Sequence, residues 1–536
     1  MTQTDDELLM NMGYKPELKR QFGLIEVSGF SLSLMSVVPG ITAVFTDSLS
    51  AGGVGLSWGW FIPCIFIMCV ALSIAELSSS MPTAGGLFWW TYKFSPKKIN
   101  RPLSMLVAYA NIFGLIGSIC SINNGFAGMI LSLPAIEGDF EPSKFHKYGV
   151  FCAATITQCL ISSLDTSFIN RSQWFMIIGN IVLVVLFCIA LPVGLTSKGI
   201  KLNTAKFVFG DTTNITDWQY GWSWLLTWMA PIWVISAIDG CIHLAEEATN
   251  AASVVPFGLI SSTLFTWIFG FAVMCIVAAV ITHDFDHIIN SPTGQPMAQI
   301  LMDTLNDRWA LGLMIFMTIY QYLVGLAIVT ATCRLTFSVG RDNALPYSKW
   351  FKKVHNGIPV YANILDCVIA ILIGLLVLIG PEAAQAVFNI PVSSSGLSWF
   401  VPIFMRSFVA PEDDFNPGPF YMGRFWSKFV AFCACVYLFF VVAVLANMPM
   451  TKHVDKTNMN YTVVINMAIW IFSLVYYYCW GHRNYHGPQI TVETMEGADV
   501  EHPMVKMPSK AKEANDLGST DSTISRLEKT VSPYQV

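Results

Sequence analysis

Apolar residues run through this chain in blocks of about 20 to 30, separated by short polar stretches, without the half-polar pattern of a surface helix. About 20 consecutive apolar residues cross a bilayer as a helix. Twelve blocks meet that requirement, at roughly 22–46, 56–79, 102–133, 148–168, 172–195, 221–248, 253–282, 308–338, 358–380, 383–408, 425–448 and 460–481. The pattern predicts an all-α integral membrane protein of twelve transmembrane helices in one compact bundle. Two blocks are interrupted mid-span by helix-weakening residues. The first carries Ser36, Pro39 and Gly40, and the sixth carries Pro231, Ser236, Asp239 and Gly240. Broken backbone at bilayer depth survives only where it lines a protein cavity. Two such helices in corresponding places point to a secondary transporter built from inverted repeats. Self-similarity between residues 22–195 and 221–408 is not visible directly, so the repeat rests on where the breaks fall.

Composition supports the same class. The chain has 536 residues, 54% hydrophobic and 12% charged, which excludes a soluble globular protein. Its net charge of −5 lies mostly outside the spans and gives no hint of nucleic-acid binding. All 13 cysteines fall in or at the ends of apolar blocks, which argues against a disulfide framework or a CxxC metal site. The first 21 residues lack a signal peptide's h-region, so residues 1–21 read as a cytoplasmic segment before an uncleaved first helix. Placing the N-terminus inside puts most Lys and Arg on the cytoplasmic side, including Lys93, Lys97, Lys98, Arg101, Arg341, Lys349, Lys352 and Lys353. Both termini are then cytoplasmic, and the glycosylation sequon at Asn214 falls outside. After 481 the composition turns polar, so residues 482–536 are expected to be a disordered tail, with lysines and serines suited to ubiquitin-ligase or phosphate-dependent turnover. The transporter domain is expected at 22–481.

Interrupted helices leave N–H groups at one half-helix end and C=O groups at the other, suited to anionic and cationic groups respectively. A zwitterion matches both. Its carboxylate is expected near Ser36, Val37, Val38, Pro39, Gly40 and Ile41, and its amine near Trp233, Ser236, Ala237 and Asp239. Asp239 costs several kcal/mol within a membrane helix unless paired, solvated or protonated, so it either attracts the amine or carries a proton. His243 follows at i+4 and is the second proton-coupling candidate. Asn123 and Tyr320 are further candidates for the lining. Asn124, Asn180, Gln321, Asp366 and Ser393 to Ser395 are polar groups that either face the pathway or join helices. His283 and His287 have the spacing of helical zinc ligands but lack the glutamate of a hydrolase motif, and read as a solvated loop. No cofactor or metal is expected, and no GxSxG elbow or phosphate loop occurs.

Several segments resemble a known family. Ala75-Glu76-Leu77 and Met81-Pro82-Thr83-Ala84-Gly85-Gly86-Leu87-Phe88-Trp89-Trp90 are similar to the junction after the second helix of amino acid-polyamine-organocation (APC) transporters. Ala245-Glu246-Glu247 followed by Pro256, and Arg334 followed by Gly340-Arg341-Asp342-Asn343-Ala344-Leu345-Pro346, match later landmarks in order and spacing. Residues 13–22, Asn416-Pro417-Gly418-Pro419-Phe420 and Asn458-Met459-Asn460-Tyr461 resemble the fungal amino acid/choline branch, closest to γ-aminobutyrate (GABA) permeases. The resemblance implies a LeuT-like fold of two inverted five-helix repeats plus two extra helices, with substrate held at the breaks in helices one and six. It also implies proton-driven uptake at a fungal plasma membrane. Ser36 stands where the pattern has a glycine, and Gly40 directly follows the proline.

The combined reading is a proton-coupled permease importing GABA or a similar small amino-bearing metabolite, and not an enzyme. Choline, polyamine, thiamine or general amino acid transport, a permease-like nutrient sensor, and a vacuolar location remain alternatives. Its expected partners are the amine or amino acid substrate, protons and membrane lipids.

Overall fold

The computed structural model describes residues 5–489, except positions 17, 19, 139, 165, 356, 456 and 457. Among these the structure is helical, without a named strand. Ten stretches are long and apolar enough to cross a membrane. The first, Leu24–Ser80, contains two spans that reverse at the turn Leu49–Ala51. Lys144–Leu164 is more polar, but its 21 residues reach about 31 Å as a helix. With these two adjustments the count is the twelve predicted.

The membrane helices are α1a (Leu24–Met35) and α1b (Val37–Ser48), α2 (Gly52–Ser80), α3 (Asn100–Glu137), α4 (Lys144–Leu164) and α5 (Thr166–Ser197). The second half comprises α6a (Met229–Val234) and the 3₁₀ segment α6b (Ile238–Leu244), α7 (Ala251–Val280), α8 (Asp307–Arg341), α9 (Val360–Gly374) and α10 (Pro381–Phe404). Two further helices follow, α11 (Arg424–Ala443) and α12 (Thr462–Cys479). A broken helix thus opens each set of five. Helix α7 lies along α2 and α1a, whereas α3 packs on α8 and α10, and α9 on α8, α4 and α3. We refer to α1, α2, α6 and α7 as the bundle and to α3, α4, α8 and α9 as the scaffold; the two groups meet where α8 packs on α1 and α6b.

The break in α1 has a local cause. In a continuous helix the Pro39 ring would strike the carbonyl of residue 35, four positions back. Ser36 takes up the mismatch with φ of 28°, and Pro39 falls in the first turn of α1b, where its missing N–H is tolerated. Asn180 of α5 splints the gap. Its Oδ1 accepts from the Val37 N–H at 3.3 Å, and its Nδ2 donates to the Leu32 carbonyl at 3.5 Å. In α6, Pro231 sits in the first turn of α6a, and the chain unwinds at Ile235 to Ala237 before tightening into 3₁₀ geometry. Gly240 lets Leu34 of α1a pack close, because a Cβ there would lie 2.3 Å from Leu34 Cδ1.

Asp5, Tyr14 and Phe22 tie the segment before α1a to the packed helices. The Asp5 carboxylate accepts from the Asn250 and Ala251 N–H groups at 2.6 and 3.0 Å, capping α7. Phe22 pairs with Ala248, and the Tyr14 hydroxyl donates to Asp342 at 2.9 Å. The packed domain also continues past the boundary expected at 481. Tyr485 is buried with its hydroxyl 2.7 Å from Ser104 Oγ, and the Gln489 N–H donates to Asp342. The chain divides into Met1–Val492 and Glu493–Val536, and from 490 onward the expected tail lies outside the described residues.

Candidate substrate site

The two breaks meet. A small cavity between them is lined by Leu34, Met35, Ser36 and Gly40 of α1 and by Trp233, Val234, Ser236 and Ala237 of α6. The scaffold closes it with Ser118, Ser121 and Ile122 of α3 and Gln321 and Val324 of α8. Its volume of about 10 Å³ is roughly one water molecule, so the closed arrangement leaves no room for an amino acid. Ser36 Oγ, Trp233 Nε1 and Gln321 Oε1 are buried without a hydrogen-bond partner. Buried polar atoms of that kind are exceptional and need an explanation. The indole of Trp233 rests on Phe388 of α10, with ring centroids 5.5 Å apart.

Gly40 gives the break its close packing. A Cβ at Gly40 would lie 3.2 Å from both the Met35 carbonyl oxygen and Val234 Cγ1, so the glycine lets α1b approach α6a at the cavity. The C-terminal end of α1a at Leu32 to Met35 and that of α6a at Trp233 and Val234 present carbonyls, and the start of α1b presents N–H groups.

Of the residues expected from the sequence, Ser36, Gly40, Trp233, Ser236 and Ala237 come together at the cavity. Val37, Val38, Pro39 and Ile41 are buried in the first turns of α1b without lining it. Asn123 turns towards α4, donating to Thr155 Oγ1 at 3.0 Å and Gln158 Oε1 at 2.8 Å. Tyr320 is buried against α5, where a Cβ at Gly179 would lie 2.8 Å from its ring. Ser118, Ser121 and Val324 were not singled out from the sequence. The available signal was the spacing of Gly114, Ser118, Ser121 and Gly125 along α3, a face of small residues that lets partners approach.

Asp239 lies to one side of the cavity. Its Oδ2 accepts from Asn111 Nδ2 at 2.5 Å, and Asn111 stands seven residues before Ser118, about 10 Å along α3. His243 Nε2 faces the same oxygen at 3.5 Å, an ion-pair distance without hydrogen-bond geometry. The other ring nitrogen, Nδ1, is 2.8 Å from the Ala84 carbonyl. A carbonyl only accepts, so Nδ1 carries its hydrogen and Nε2 is the ring nitrogen turned towards Asp239. Both side chains are fully buried.

Beyond this pair lies a buried ionic layer. Glu246 Oε2 and Oε1 accept from Arg341 at 2.8 and 2.9 Å, and Glu247 accepts from Arg334 at 2.9 Å. Glu246 Oε1 also accepts from Thr83 Oγ1 and the Ala84 N–H. Asn214 is exposed on the opposite face, its Oδ1 accepting from the Thr216 N–H at 2.9 Å.

A twelve-helix bundle with two broken helices facing one cavity defines a membrane transporter. A family model described as amino acid permease matches residues 22–469. The chain is 36% identical over 507 residues to the GABA-specific permease of Saccharomyces cerevisiae, covering 92% of this chain and 88% of the relative. It is 32% identical over 505 residues to an uncharacterised amino-acid permease of Schizosaccharomyces pombe, covering 93% and 92%. It is 29% identical over 497 residues to amino-acid permease 2 of Neurospora crassa, covering 91% and 90%. The chain belongs to the amino acid permease family of the APC superfamily.

Proposed function

We propose that this permease is a proton-coupled importer of GABA or a similar ω-amino acid. The convergence of both helix breaks on one cavity carries the reading, supported by the likeness to a GABA-specific permease. The substrate carboxylate is assigned to the break at Ser36 and Gly40, where the start of α1b meets the cavity and its helix dipole favours an anion. The ammonium is assigned to the carbonyl ends of α1a and α6a, with Ser36, Ser236 and Gln321 as side-chain partners. Because the cavity is closed, entry requires the α1, α2, α6 and α7 bundle to rock against the scaffold, separating Trp233 from Gln321.

Asp239 does not line the cavity and is bonded to Asn111, and its neighbour His243 turns Nε2 towards it. We assign this pair to the proton. Protonation of Nε2 makes an ion pair with Asp239, and its loss leaves the buried carboxylate facing a lone pair, which disfavours the closed inner end. The reading places the Asn214 loop outside and both termini in the cytoplasm, at the plasma membrane, with tail lysines available to ubiquitin ligases. Radiolabelled GABA uptake at acid and neutral pH in permease-deficient yeast tests the substrate. Saturable uptake greater in acid is expected, and none at either pH would rule GABA out.

A further inference from the structure

Two short helices, Phe285–Ile289 and Pro296–Thr304, connect α7 to α8 on the same face as Asn214. Here the structure supplies what the His283/His287 spacing lacked, a third ligand. The two imidazole rings have centroids 4.7 Å apart, and His287 Nε2 is 3.6 Å from Asp303 Oδ2. One donor atom from each of the three residues lies within 4.8 Å of the others. A tetrahedral zinc ion with bonds of about 2.0–2.2 Å holds its donors roughly 3.4 Å apart, so shifts on the order of 1 Å complete the set.

The carboxylate is also oriented. Asp303 Oδ1 accepts from Gln299 Nε2 at 2.8 Å, leaving Oδ2 towards the imidazole. Gln299 in turn accepts from Ser291 at 2.8 Å. Ser291 Oγ accepts from the Thr293 N–H at 3.2 Å, Thr293 Oγ1 donates to the Gln295 carbonyl, and Gln295 Nε2 donates to the Thr42 carbonyl of α1b at 3.0 Å. Such partners behind a ligand fix its geometry and raise metal affinity. Two imidazoles and one carboxylate, with the side chains of His287 and Asp303 48% and 16% exposed, leave room for a water as fourth ligand. That donor set selects zinc-class ions over magnesium and calcium, which take oxygen ligands.

We infer that His283, His287 and Asp303 form a binding site for a zinc-class divalent cation, and that its occupancy restrains the outer half of α1 through the hydrogen bonds from Asp303 to Thr42. The inference is independent of which amino acid the cavity takes. Full-length protein in detergent is titrated with zinc chloride by calorimetry, with magnesium and calcium for comparison. One saturable zinc per chain is expected, weakened at least tenfold in His287→Ala and in Asp303→Asn, and undisturbed by excess magnesium or calcium. The absence of saturable binding, or equal affinity in wild type and both variants as when a thiol such as Cys479 holds the ion, overturns the site. The histidine is half exposed and the asparagine retains an oxygen for Gln299, so both variants are expected to melt like wild type without metal.

The restraint on α1 is read separately, as several-fold slower uptake under saturating external zinc in wild type and not in His287→Ala. Unchanged wild-type uptake overturns the restraint while the titration stands. Failure to take up GABA at all falls on the proposed substrate, because the titration uses none.

Discussion

Replacing Glu246 with glutamine removes one charge just beyond α6b with little change of shape. The carboxylate is bonded by Arg341 at 2.8 and 2.9 Å, by Thr83 at 3.2 Å and by the Ala84 N–H at 3.1 Å. The Arg341 and Glu246 side chains are 4% and 1% exposed. Glu246 and the turn after α2 belong to the bundle, and Arg341 ends α8 of the scaffold, so the pair joins the two groups proposed to rock. Glutamine keeps an oxygen for Thr83 and Ala84, and the loss falls on Arg341, left charged and dry beneath the Tyr14 ring 4.0 Å away. Removing one partner of a buried pair costs about 3–5 kcal/mol, equivalent to a factor of roughly 10² to several times 10³ in an equilibrium. The shift favours arrangements in which Arg341 reaches water. Cys241, fully buried in α6b, reports it. Its modification by an impermeant maleimide, applied to vesicles exposing the Asp5–Asn11 face and resolved by peptide mass spectrometry, should accelerate at least tenfold in Glu246→Gln. Adding Arg341→Gln removes the stranded charge and should recover much of the protection. An unchanged rate in the single variant, or a faster one in the double, would refute the reasoning.

Other consequences follow from burial and packing. Gly270→Ala places a Cβ 2.3–2.8 Å from the Trp60 ring, which is 1% exposed and held by the Trp267 carbonyl. Such overpacking costs about 1–3 kcal/mol and should lower the melting temperature of purified protein, with an unchanged value counting against it. Burial raises the Asp342 carboxyl to about 7, so the folded state binds the extra proton between pH 4 and 7. Its stabilisation is fully present below pH 4 and lost as pH rises to 7, at most about 4 kcal/mol, and Asp342→Asn should flatten that decline in thermal melts. Equal slopes in the two proteins would exclude it. His243→Gln should leave uptake less dependent on pH than wild type, while Asp239→Asn, which loses the counter-charge, should depress uptake at every pH; wild-type pH profiles in both would remove the pair from coupling.

The breaks were legible because their cause is local. Pro39 conflicts with a carbonyl four residues back, and that conflict can be read from the sequence without knowing any neighbour. The twelve spans were legible for a similar reason, since bilayer thickness imposes length and apolarity on each segment separately. Even the polar α4 was found, because its centre, Val150 to Ile161, is apolar enough between charged ends.

Partners were not legible, because they join residues far apart in the chain. Asn111 reaches Asp239 across 128 positions and Arg341 reaches Glu246 across 95, and no local pattern encodes either pairing. The consequence reaches into the chemistry of the site. From the sequence, Asp239 served equally as an amine anchor or a proton carrier, because a carboxylate at membrane depth suits both. Asn111 holds Asp239 about two helical turns from Ser118, which favours the proton role proposed above, and the Ala84 carbonyl fixes which nitrogen of His243 faces Asp239. The same contrast holds on the opposite face, where the spacing of His283 and His287 was visible and only folding brought Asp303 to them. Sequence periodicity locates groups that must avoid lipid, and the tertiary contacts then determine what those groups can do.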